Sequence, residues 1–116
     1  MIIAKFEIDE SKKQASVHIN GHARQADVGK DIVCASASIL AYTLAQNVIG
    51  LDNRGLLKYD PTIKLKEGNA IIRCRAKTDE SYAEILHLFV VIQTGYQLLA
   101  HNYPQFVAIE MFGDTE

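Results

Sequence analysis

A thiol and an imidazole, Cys34 and His22, are the two side chains whose types and spacing best suit covalent chemistry here. Twelve positions separate them, and the segment between is polar and small. A thiolate is the nucleophilic form of cysteine. An imidazole in reach can take the thiol proton and later deliver one to a leaving amine. Asp31 is a good N-cap for a helix running from Ile32 to Ile49. Cys34 then falls in the first helical turn, where unpaired N–H groups and the helix dipole favour the thiolate. Backbone N–H groups there, that of Cys34 included, could hold an oxyanion. The Asp31 charge opposes thiolate formation, and a cationic His22 offsets it. Asp31 could also orient the imidazole as the third member of a triad. Ser38 lies one turn beyond Cys34 on the same helix face, to contact substrate or to pack the helix. Gly21 and Gly29 bracket the polar loop, either as hinges for its closure or as plain turn formers. The structural alternatives are a small core residue for Cys34 and an exposed loop residue for His22.

The elements that must position these groups follow from hydrophobic period. Ile2 to Asp9 alternates, with Ile2, Ala4, Phe6 and Ile8 on one face, and Gln14 to Asn20 alternates again. The polar turn between them makes an antiparallel hairpin. The first helix presents Ile32, Ala35, Ile39, Tyr42 and Ile49, and Gly50 marks its stop. Its Ala- and Ser-rich first half suits close approach of another element. Thr62 to Glu67 and Ala70 to Ala76 form a second hairpin turning at Gly68-Asn69. Thr78 or Asp79 caps a second helix in which Tyr82, Ile85, Leu86, Phe89, Ile92, Tyr96 and Leu99 recur at helical spacing. Gly95 inside it calls for a packing reason. A last strand covers Gln105 to Met111. The order ββαββαβ predicts one α+β domain over residues 1–116, a mostly antiparallel sheet with two helices packed on one face.

Composition narrows the function classes. Apolar residues make up 48% and charged residues 22%, with a formal charge of −2, so no basic footprint for nucleic acid stands out. Cys34 and Cys74 have no zinc-type spacing, and Cys74 has core parity on its strand. His18, His87 and His101 have no partner at metal spacing. Neither a metal nor a cofactor is expected. No secretory leader and no apolar run near the roughly 20 residues of a membrane span is read. A cytoplasmic protein with reduced thiols is expected.

At Gly21-His22-Ala23, Gly29-x-Asp31-Ile32-Val33-Cys34-Ala35 and Ser38 the chain resembles the ribosomal-processing cysteine proteases, called Prp, of the YsxB-like family. The resemblance implies a cytoplasmic bacterial protease, typically a homodimer. Such an enzyme removes an N-terminal extension from a large-subunit ribosomal protein, cutting after a hydrophobic, Phe-ending motif. It gives Cys34 the role of nucleophile and His22 that of base; Asp31 and Ser38 match family positions. Ala26 and Val28 depart from the family pattern, which expects glycine and an aromatic. The competing readings are a non-catalytic ribosome-associated binding module and a thiol redox sensor, the second weakened by the want of a nearby resolving cysteine.

Overall fold

The computed structural model describes residues 1–22 and 28–111, with the backbone alone for residues 28–31. Strands β1 (Ile2–Asp9) and β2 (Gln14–Gly21) form a hairpin, followed by helix α1 (Val28–Asn53), a second hairpin of β3 (Thr62–Lys66) and β4 (Asn69–Arg75), helix α2 (Asp79–Asn102) and β5 (Val107–Glu110). The sheet order is β3-β4-β2-β1-β5. All neighbours are antiparallel except β1 and β5, which pair in parallel with Ile2 opposite Val107. The expected α+β architecture is therefore present. Alternation explains it: Ile2, Ala4, Phe6, Ala15, Val17, Ile19, Ile72 and Cys74 are buried on the one face that the helices cover.

Helix α2 follows its sequence period. Thr78 and Ser81 form a capping box, and Ile85, Phe89, Ile92, Tyr96 and Leu99 are buried. A Cβ on Gly95 would lie 2.6 Å from Leu40 Cδ2, so glycine lets the two helices approach.

Helix α1 departs from expectation in three ways. It begins at Val28, so Gly29 is helical and Asp31 is not its N-cap. It runs through Gly50 to Asn53. There Gly55, at φ +73°, donates to the Asp52 carbonyl at 3.0 Å, and Leu56 donates to that of Leu51 at 3.1 Å. This Schellman closure satisfies carbonyls that a stop at Gly50 would have left open. Finally, the buried face is Val33, Ala37, Ala41, Leu44, Ala45, Val48 and Leu51, whereas Ile32, Ile39, Tyr42 and Ile49 are exposed. The sheet selects the smaller side chains because they permit closer contact. A Cβ on Gly50 meets nothing within 4 Å. Gly50→Ala is accordingly expected to stabilise the fold by about 1 kcal/mol, read as a higher urea midpoint at unchanged slope.

Two smaller differences have local causes. The β3–β4 turn is Glu67-Gly68, because the left-handed position falls on Gly68 (φ +78°) and Asn69 already belongs to β4. The last strand starts only at Val107, since the amides of Phe106 and Val107 both bond to the Tyr103 carbonyl. Both helices are long and apolar enough in composition to cross a membrane, contrary to the sequence reading. In this fold each lays a stripe of side chains on the core.

Candidate active site

A groove of about 380 Å³ opens between α1 and the adjoining ends of β2, β3 and β4. The small residues of α1 create it: Ala35, Ala37, Ser38 and Ala41 line one wall, where larger side chains would fill the space. The Ala- and Ser-rich run thus leaves a cleft instead of closing one.

His22 follows directly on β2, and its backbone is pinned from both sides. The Gly21 amide donates to the Gly68 carbonyl at 3.0 Å, and the Met1 amino group donates to the His22 carbonyl at 2.6 Å. Gly21 has φ +97°, and a Cβ there would collide with the Met1 carbonyl. Gly21 is therefore a fixed bend; the hinge reading does not describe it. The His22 ring lies against Gly68 so closely that a Cβ on Gly68 would come within 2.7 Å of Cε1 and would collide with Nε2.

Cys34 stands on the α1 wall of the same groove as a free, half-buried thiol. Ser38 and Tyr42 follow one and two turns later on that wall, so the expected shared face of Cys34 and Ser38 is present. The groove brings His22, Cys34, Gly21 and Ser38 together. Among the described residues no hydrogen bond joins the thiol to the imidazole.

The early start of α1 corrects the electrostatic expectation. Cys34 lies in the second turn, where its N–H is taken by the helix's own ladder. It is not an oxyanion donor, and the dipole effect fades beyond the first turn. Gly29 lies in the first turn of α1, so neither the hinge nor the turn reading describes it; the side chain of Asp31 and all of Ala26 fall outside the described residues, and Val28 is the first residue of α1.

The Tyr96 hydroxyl, buried against the edge of Phe6, donates to the Ala37 carbonyl at 2.7 Å. It fixes the α1 segment between Cys34 and Ser38 to α2. Burial raises the Tyr96 pKa, so the phenol stays protonated and donating. Cys74 sits in the core, where desolvation pushes its thiol up to about 12. His18 bonds Asn69 at 2.7 Å across the strands, and His87 and His101 are exposed on α2. Sequence reasoning predicted the β3–β4 hairpin but not its place at the site, where it supplies Leu65, Lys66, Glu67, Gly68, Asn69 and Ala70 to the groove. Gly68 carried a turn signal and nothing that tied it to His22.

A thiol and an imidazole facing one peptide-sized groove are the equipment of a cysteine protease. The family model described as cysteine protease Prp matches residues 1–108. The fold resembles the essential ribosomal processing protease Prp of S. aureus in complex with a covalently linked product peptide. The TM-score is 0.70 at 23% identity, over 97% of this chain and 99% of that one. The same S. aureus protease with a substrate peptide gives 0.67 at 20% identity, over 97% and 99%. The Streptococcus mutans protein SMU.848 gives 0.68 at 28% identity, over 97% and 95%. Comparison with curated proteins finds no match. The chain belongs to the Prp family of cysteine proteases.

Proposed function

We propose that this protease removes the N-terminal extension of a large-subunit ribosomal protein, cutting after a hydrophobic, Phe-ending motif. The observation that carries the reading is the shared groove of Cys34 and His22, with Ile2, Ile19, Leu65 and Ala70 as its apolar lining. That lining suits an aromatic side chain beside the scissile bond. The similar S. aureus structures are of a ribosomal processing protease holding substrate and product peptides, which supports the same substrate class.

In the mechanism His22 takes the Cys34 proton as Sγ bonds to the scissile carbonyl carbon. The tetrahedral adduct collapses, the C–N bond breaks, and the leaving amine receives the proton from His22. The thioester that remains is attacked by water, whose proton His22 accepts. Breakage of the C–S bond releases the new carboxylate, and the thiol is restored. Ser38, which lines the groove one turn beyond Cys34, supports a reading in which it contacts the bound peptide. The protein is proposed to act in the cytoplasm and as a homodimer; the exposed Ile39, Val91 and Leu98 on the helices support the second of these.

The test is incubation of the protein with a peptide carrying the extension from the same organism's ribosomal protein. Mass spectrometry is expected to find a product ending in Phe, and replacement of that Phe by Asp to stop the cut. An intact native peptide beside demonstrably folded protein would refute the reading.

A further inference from the structure

We infer that the free edge of β3 is the strand on which the substrate's main chain docks, an inference that rests on the peptidase reading above. β3 is the outermost strand on its side of the sheet. The direction of its backbone groups follows from the register. The Gly21 amide bonds to the Gly68 carbonyl while Asn20 stands opposite Asn69. In an antiparallel ladder this makes Asn20 and Asn69 a non-hydrogen-bonded pair, so the N–H and C=O of Asn69 turn toward β3. Asn69 faces Lys66 there, and Lys64 faces Ile71 two residues on. Lys66, Lys64 and Thr62 therefore spend their backbone groups on β4. Those of Ile63 and Leu65 point away from the sheet.

This edge runs into the catalytic groove. Leu65, Lys66 and Glu67 line the groove that also holds Cys34 and His22. A peptide bonded to Ile63 and Leu65 turns every second side chain toward the helix-covered face, where Leu65 and Tyr42 offer exposed apolar surface at the groove. The intervening side chains fall on the open face beside Lys64 and Lys66. The occupant is thus an extended segment with apolar residues at alternate positions, held by main-chain bonds and selected by pockets. The same two lysines guard the short edge against pairing with another copy of itself.

The experiment is an N-methyl scan of the extension peptide, with binding to Cys34→Ala followed by fluorescence anisotropy. Each N-methyl that removes an edge bond is expected to weaken binding about tenfold, and the losses are expected to recur with period two. Leu65→Pro, which deletes an outward N–H without touching the β4 ladder, is expected to lose a similar factor beyond Leu65→Ala, which removes the same side chain and keeps the N–H, while Lys64→Ala binds like the parent. A flat scan, or no binding, overturns the docking edge. Cleavage of the unmethylated peptide by native protein is read in parallel. Cleavage with a flat scan defeats the edge alone; a period-two scan without cleavage defeats the peptidase reading and leaves the edge standing.

Discussion

Cys34→Ala is expected to lower kcat/KM for the extension peptide by about 10⁵-fold, with binding of the peptide retained. The size follows from the nature of the step: without Sγ no acyl-enzyme forms, and what survives is the binding contribution of the groove. His22→Ala is expected to cost a comparable factor, and the double variant little more, because a nucleophile and its base act as a unit. Cys74 cannot substitute, since its buried thiol is held protonated up to about 12. Iodoacetamide at neutral pH is therefore expected to label Cys34 alone and to abolish cleavage in step with labelling. Substantial cleavage by Cys34→Ala, or labelling of Cys34 without loss of activity, would sink the assignment.

Gly68→Ala is expected to lower kcat by about 100-fold, the cost of a displacement near 1 Å in a catalytic group. The new Cβ would occupy the place of the His22 imidazole, so the ring must move. The left-handed backbone at Gly68 adds a stability cost of about 1 kcal/mol. Gly68→Asn separates the two effects: asparagine tolerates that backbone, so stability returns while the collision and the low kcat remain. Thermal unfolding and steady-state kinetics on both variants read the difference. Parent-like kcat in Gly68→Asn would show that the turn does not seat the ring.

The architecture was legible because strand alternation and the Thr78 cap are local signals; of the candidate site, the fold brings Gly21, His22, Cys34 and Ser38 to one groove. The buried face of α1 was not. Ile32, Ile39 and Tyr42 carry more hydrophobicity than Ala37, Ala41 and Ala45, yet close packing on the sheet selects the small residues. The start of α1 was missed because Asp31 is a good cap by type, although the helix begins at Val28, four residues before the expected Ile32. The contact of Gly68 with His22 spans a sequence separation that no local pattern reports; it exists only because β4 pairs with β2.

The parallel pairing of β1 with β5 has a consequence for biogenesis. β1 is translated about 105 residues ahead of its partner β5, with Ile2 opposite Val107. At ordinary elongation rates β1 waits roughly 5 to 20 s for its outer partner. During that time a strand carrying Ile2, Ala4 and Phe6 has one bare edge. Nascent chains stalled before Val107 are therefore expected to be captured by chaperones or to aggregate through β1.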